Sequence, residues 1–157
     1  MTSDPKRRAI VIRGAEPEWA RALELLLVEL ERSGDGRWFH PFPLDGASAR
    51  RIAESEGADR FLIAVEQDRV LALGMLRGWD EGYDTPSLGI AVSPTSRGAG
   101  LGRRMMDALH ALARERGAKR IRLTVDCANR AAMELYASMG YAFEPGENDR
   151  LIGYLEL

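Results

Sequence analysis

The chain holds one cysteine, Cys127, in 157 residues. That excludes an internal disulfide framework and any zinc site built mainly from thiolates. Its two histidines, His40 and His110, stand far apart in the sequence, so no metal site is expected from imidazoles either. Neither sign of charge dominates: 22 Lys+Arg against 24 Asp+Glu leave a formal net charge of -2. Nothing in that balance draws the chain to a nucleic acid or to an anionic membrane. Apolar runs such as Leu25–Val28 fall far short of the roughly 20 residues that span a bilayer. Met1–Arg8 is polar and no apolar stretch of a secretory signal follows it, so a cytoplasmic setting is expected. Repeats, low-complexity blocks and linkers are missing too. What remains is 45% hydrophobic and 29% charged, the balance of a folded globular chain. Its length suits one domain, 1–157, whose folding hides roughly 70% of the unfolded surface.

Periodicity divides the chain into alternating elements. Ala9–Ile12 is apolar and β-branched and reads as a strand. Glu16-Pro17-Glu18 opens a helix in which Trp19, Leu23, Leu26, Leu27 and Leu30 share one face. Ser33-Gly34-Asp35-Gly36 stops it. The stretch 37–45 (RWFHPFPLD), with two prolines, is neither helix nor central strand. Asp45 or Ser48 caps a second helix to about Glu56, ended by Gly57. Segments 60–66 and 70–77 form a hairpin across Gln67-Asp68-Arg69, a turn without Gly or Asn. After a polar loop, 78–86, comes a strand, 87–93, in which Gly89 suggests a bulge or a close backbone approach. Segment 101–116 is the strongest helix, with Leu101, Met105, Leu109 and Leu112 as its stripe. Then follow a strand, 119–125, alternating with one charged face, and a helix, 129–139, ended by Gly140. Segments 141–143 and 151–157 close the chain as strands. The order β-α-α-β-β-β-α-β-α-β-β predicts an α/β fold, a mixed sheet covered by helices.

The most informative stretch is 93–106, SPTSRGAGLGRRMM. A strand runs into a loop holding Gly98, Gly100 and Gly102, and a helix starts inside that loop. Glycines let successive N–H groups converge on one point, and the helix start adds unpaired donors and the positive dipole end. Such a cradle binds phosphate or pyrophosphate, and Arg97, Arg103 and Arg104 add charge. A P-loop would need Gly-Lys-Ser/Thr, but Arg103-Arg104 follows Gly102. A dinucleotide fold would need G-x-G-x-x-G in the first βαβ unit, and here the third glycine comes one residue early, two-thirds along the chain.

Arg97-Gly98-Ala99-Gly100-Leu101-Gly102 matches Q/R-x-x-G-x-G/A, and Asn129, Ala132, Leu135-Tyr136 and Gly140-Tyr141 match N-x-x-A-x-x-L-Y-x-x-x-G-Y/F. With both motifs at this separation, the chain resembles the GNAT acetyltransferase superfamily, most clearly over 61–143. The resemblance implies a mostly antiparallel sheet of about seven strands with helices on both faces. It also implies a splayed strand pair, 87–93 and 119–125, that takes acetyl-CoA as co-substrate between its members. Backbone groups around Ile90, Ala91 and Val92 would pair with the pantetheine amides, with Gly89 marking the bulge that aims this edge. Amides of Arg97, Gly98, Ala99, Gly100, Leu101, Gly102 and Arg103 would hold the pyrophosphate. Asn129 would reach the pantetheine arm, and Tyr136 would lie near the thioester sulfur. The implied activity is N-acetyl transfer to a primary amine by direct attack on the thioester, and a homodimer is left open.

Chemistry assigns further roles. A phenol near pKa 10 suits Tyr136 as proton donor to the leaving thiolate, and Val92 N–H or a neighbouring strand amide would polarise the carbonyl. For the general base, Asp80 is preferred, with Glu81, Asp84 and His40 as alternatives; Cys127 reads as packed, without a base beside it. The acceptor is expected between 37–45 and the 77–86 loop, with Trp38, Phe39 and His40 facing Trp79 and Asp80, and with Glu81 and Tyr83 nearby. Aromatic faces with a few carboxylates suit a small amine: an amino sugar, an amino-acid-like or a polyamine-like acceptor. A non-catalytic acyl-CoA sensor, a protein N-acetyltransferase and a longer acyl donor remain as alternatives.

Overall fold

Alternation along the central strands sorts the side chains between two helical layers. The computed structural model describes residues 9–157; Met1–Arg8, read above as a polar start, lies outside the described residues. Strands β1 (Val11–Gly14), β2 (Arg60–Glu66), β3 (Arg69–Arg77), β4 (Ser87–Val92), β5 (Arg120–Asp126), β6 (Ala142–Pro145) and β7 (Arg150–Glu156) make one sheet, ordered β1-β2-β3-β4-β5-β7-β6. All neighbours are antiparallel except β4 and β5, which run parallel. The mixed, mostly antiparallel seven-stranded sheet expected from the sequence is therefore present.

Leu73 and Met75 of β3 and Ile63 of β2 face helices α1 (Ala20–Arg32) and α2 (Gly46–Ala53), packing on Leu23, Leu26, Leu27, Leu30 and Ile52. The alternate residues, Ala72 and Leu76, face helix α3 (Leu101–Glu115), where Met105, Met106 and Leu109 are wholly buried. Gly74 belongs to this second face, because a Cβ there would meet Leu109 and Met105. Helix α4 (Arg130–Ser138) lies on the α3 side, with Tyr136 packed among Ile121, Leu123 and Val125. Burying all these apolar groups is the main stabilising term.

Several boundaries differ from the sequence reading. Strand β1 begins at Val11 rather than Ala9, because its extent is set by pairing with β2, from Val11↔Val65 to Gly14↔Leu62. Pro17–Trp19 forms a 3-10 turn ahead of α1. Asp45 caps α2 through Ser48 N–H at 2.9 Å, but the helix ends at Ala53 rather than near Glu56. The β2–β3 turn manages without glycine because Gln67 itself adopts φ 56°. The bulge expected at Gly89 is not there: β4 pairs with β3 without a break from Ala72↔Val92 to Arg77↔Ser87. A Cβ on Gly89 would come 2.6 Å from Met75 Cε, so this glycine makes room for a methionine. The irregularity lies instead between Ala64↔Ala72 and Val65↔Val70, which leaves Leu71 as the extra residue.

A buried polar pair fastens α3 to the end of α4. His110 Nε2 and the Tyr141 hydroxyl lie 2.8 Å apart, and His110 is 5% exposed. Burial, aided by Arg114, holds the imidazole below its usual range, while Asp107 opposes this weakly. The unfolded chain therefore binds a proton near pH 6.5 more readily than the folded one. The stabilisation from a neutral His110 is present above pH 6.5 and is lost as pH falls toward the folded value. The urea midpoint should drop between pH 7 and pH 5, and His110→Gln should flatten that part of the curve.

Candidate active site

Strands β4 and β5 share one residue pair, Ser87↔Arg122, and then diverge. Each is held by its outer neighbour, β3 or β7, over its whole length. Ser93 N–H bonds Leu71 O on the β3 side at 2.8 Å, whereas Pro86 O accepts Arg122 N–H on the β5 side at 3.0 Å. Because strand groups alternate in direction, the backbones of Ile90 and Val92 point into the gap. By the same alternation Thr124 and Asp126 face it from β5.

At the wide end of the gap lies the glycine loop. Gly98 and Gly100 have φ of 81° and 78°, and nothing lies within 4 Å of a Cβ placed at either. Gly100 is also the N-cap of α3, and no side chain caps that helix. Its first N–H groups and dipole end therefore face an open cradle that side chains at 98 and 100 would obstruct. A diphosphate fits these donors. The nearby arginines are less free than the sequence suggested. Arg97 pairs with Asp35 at 2.9 Å and donates to Val92 O at 3.3 Å. Arg103 donates to Ser138 Oγ at 2.6 Å, and Arg104 to Ile10 O at 3.1 Å. Backbone groups thus carry more of the anion site than mobile charge.

A cavity of about 600 Å³ runs from this loop along the gap. It is lined by Ile90, Ala91, Val92, Arg97, Gly98, Gly100, Leu101, Gly102, Arg103, Asn129 and Tyr136, so the structure gathers all the expected cofactor residues except Ala99. Asn129 Oδ1 also caps α4, accepting Ala132 N–H at 3.4 Å. The Tyr136 ring lies tilted against that of Tyr141, centroids 5.8 Å apart, and burial raises its pKa to about 12. Its hydroxyl has no protein hydrogen-bond partner among the described residues.

A second cavity, about 810 Å³, adjoins the first, and Arg37, Trp38, Phe39, Thr124, Val125 and Asp126 line both. Of the residues expected to meet the acceptor, Trp38, Phe39, His40, Glu81, Tyr83 and Asp84 line it. Trp79 and Asp80 line neither cavity. The Asp80 carboxylate instead accepts Ala58 N–H at 2.6 Å, and Trp79 lies under Arg116, 4.7 Å away. The expected face-to-face wall across 79–80 is therefore not formed. His40 Nε2 accepts from Arg150 Nη2 at 2.6 Å, which leaves Nδ1–H to donate to Gly36 O at 3.0 Å. Cys127, expected to be packed, is exposed.

The sequence reading missed the main character of this second cavity, which contains Arg37, Arg77, Arg120, Arg122 and Arg150. The signal is the charged alternation in 119–125, which does not by itself say which face turns inward. Among the described residues no group of three or more metal-ligating side chains occurs, and no helix is long and apolar enough to cross a membrane.

Residues 19–141 match the Acetyltransferase (GNAT) family. The chain belongs to that family. It is 32% identical to the streptothricin acetyltransferase of Streptomyces lavendulae over 83% of this chain and 80% of that one. Mycothiol acetyltransferase of Kocuria rhizophila is 39% identical over 52% of this chain, which spans 29% of that protein. Among solved structures, the GNAT domain of S. lividans PAT superposes with a TM-score of 0.81 at 18% identity, covering 99% of this chain and 100% of that domain. PaiA N-acetyltransferase from Thermoplasma acidophilum, in complex with coenzyme A, gives 0.79 at 16% identity over 95% and 99%. This GNAT protein is an N-acetyltransferase, and acetyl-CoA is its co-substrate.

Gly100→Val tests the cradle. The branched side chain would stand in the open space and strain the backbone at φ 78°. Coenzyme A affinity measured by calorimetry should fall at least about tenfold, while circular dichroism should keep the helical signal.

Proposed function

We propose that the chain, one domain through 1–157, acetylates the primary amine of a small molecule by direct attack on acetyl-CoA, in a cytoplasmic setting. The observation that carries this reading is the meeting of the two cavities at Trp38, Phe39, Thr124, Val125 and Asp126. One cavity offers a diphosphate cradle and an unpaired phenol, and the other offers room for an acceptor of modest size.

Acetyl-CoA supplies an activated acetyl group as a thioester. The chain supplies the rest. N–H groups of the glycine loop and the first turn of α3 hold the diphosphate end. Ile90 and Val92 offer strand-edge donors and acceptors to the amides of the arm. Val92 O is already engaged by Arg97, so Val92 N–H and the Ile90 groups are the available partners. Val92 N–H also suits the developing charge on the acetyl oxygen.

Tyr136 has a narrower role than a phenol near pKa 10 would have. With its pKa raised to about 12, Tyr136 is a weaker acid than the departing thiol, so full transfer of its proton runs uphill. Tyr136 therefore acts by donating a hydrogen bond to the sulfur as charge builds there. Its raised pKa keeps that donor protonated at every pH at which the amine reacts.

Proton removal from the amine falls to carboxylates of the second cavity acting through water, Glu81, Asp84 or Asp126. Asp126 alone of these three lines both cavities, and its second oxygen has no partner among the described residues while Oδ1 accepts Ala128 N–H at 2.8 Å. Asp80 is spent on the Ala58 amide, and His40 Nε2 on Arg150.

With a competent amine, Tyr136→Phe should lower kcat by about 100-fold and change the KM for acetyl-CoA by less than about threefold. The fold should hold, since no protein hydrogen bond is lost. Thiol release over a range of acetyl-CoA concentrations reads both constants. Asp80→Asn should leave kcat within about twofold of wild type. Acetyl-CoA binding without turnover on a broad amine panel would instead favour a sensor.

A further inference from the structure

We propose that the acceptor amine carries an oxyanion, a carboxylate or a phosphate, bound by a row of side chains across the floor of the second cavity. The row is Arg77 on β3, Ser87 on β4, Arg122 on β5 and Tyr154 on β7, and Arg120 stands beside it. This inference rests on the acetyltransferase reading above and selects among its acceptor classes.

Registration of the sheet builds the row. Arg77 pairs with Ser87, Ser87 with Arg122, and Arg122 with Tyr154, so all four project from the same face. That face is the one turned to α1, because Met75, two residues from Arg77, packs there. All four residues line the cavity. Neighbouring strands lie roughly 4.8 Å apart, so Arg77 and Arg122 rise from the sheet on either side of Ser87.

Among the described residues none of the cations Arg37, Arg77, Arg120, Arg122 and Arg150 sits in an ion pair, although Glu81, Asp84 and Asp126 share the cavity with them. Three of them rest on aromatic rings instead: Arg37 on Trp38 at 4.7 Å, Arg77 on Phe42 at 5.8 Å and Arg120 on Tyr154 at 3.9 Å. A ring beneath a guanidinium attracts its charge without using its N–H donors. Arg150 is occupied only by the neutral nitrogen of His40. Arg120 Nε is buried with no hydrogen-bond partner among the described residues, an unsatisfied donor in the cavity wall. Planar forks held this way match carboxylate or phosphate oxygens.

The cavity is also polarised along its length. Arg122 lies where β4 and β5 meet, and Asp126 lies four residues further along β5, at the junction with the first cavity. A ligand with its oxyanion on Arg77 and Arg122 directs its ammonium toward Asp126, and so toward the acyl donor. Ser87 and Ile90 are three residues apart on β4, roughly 10 Å, which limits the acceptor to about the size of an amino acid. A polyamine would meet like charge on the cavity floor, and a neutral amino sugar would leave the guanidinium groups unanswered.

The test uses the full chain with saturating acetyl-CoA and four acceptor sets: protein amino acids, their C-terminal amides, phosphoethanolamine and spermidine. Amines bearing the oxyanion should be acetylated with kcat/KM at least 100-fold above their amides or spermidine. The amino acids and phosphoethanolamine separate carboxylate from phosphate. Arg122→Gln should raise the KM of the preferred acceptor at least tenfold with little change in kcat, and Arg122→Lys should recover part of that loss. The dissociation constant of coenzyme A should be unchanged in both variants, which also reports that they fold. Amides or spermidine used as well as the acids, or an Arg122→Gln enzyme with the wild-type KM, would overturn the proposal. If no amine is acetylated, calorimetry with the same amino acids and phosphoethanolamine decides. Binding that Arg122→Gln abolishes supports the oxyanion site and overturns only the catalytic reading, whereas no binding beside intact coenzyme A affinity overturns the site.

Discussion

The single bridge between β4 and β5 is the constraint from which the functional architecture follows. Both strands spend one edge fully on an outer neighbour, and Ser93 further ties the end of β4 to α1 through Glu29. The inner edges are therefore left open over several residues beyond Ser87↔Arg122. Backbone donors and acceptors at such an edge must be satisfied by water or by a ligand that behaves like a strand. An extended molecule with its own amides answers that demand. The sheet thus specifies the shape of its co-substrate before any side chain contributes.

Side chains then divide the work by face. On the α3 side, Tyr136 lies among Leu123, Val125 and Tyr141, and its burial keeps the phenol neutral. On the α1 side, the floor is basic and supported by aromatic rings. One strand supplies both environments: Ile121, Leu123 and Val125 of β5 enter the core, while Arg120, Arg122 and Thr124 turn to the cavity. The same two-residue period that builds a core on one side lines a basic cavity on the other.

The glycine loop was legible because its chemistry is backbone chemistry. Positive φ at Gly98 and Gly100 needs glycine locally, and an uncapped helix start follows from Gly100 with no distant partner consulted. Core faces of α1 and α3 were legible for a similar reason, since periodicity within one element states which side is apolar. Asp80 was misplaced because its direction is set by the amide of Ala58, 22 residues away. Trp79 likewise answers to Arg116 on α3. Gly89 left a bulge and a close approach open, and the choice falls to the approach because Met75 sits on the neighbouring strand. The arginine floor was visible as alternation, yet only the registers of β3, β4, β5 and β7 align Arg77, Ser87, Arg122 and Tyr154 in one row.

The divided sheet also bears on how long the protein persists. Strands β1 to β4 and β5 to β7 are two panels that meet at Ser87–Arg122, and Leu76, Leu88 and Ile121 from the two panels share one apolar cluster with Met106 and Leu109 of α3. A molecule seated along the gap would lace the panels together and shield the Ile90 and Val92 amides from exchange with solvent. Any ligand that binds only the folded state adds about 2.7 kcal/mol to its stability at a hundredfold excess over the dissociation constant. Resistance to unfolding and proteolysis is thereby coupled to the supply of acetyl-CoA, so this chain would last longest when its acyl donor is plentiful.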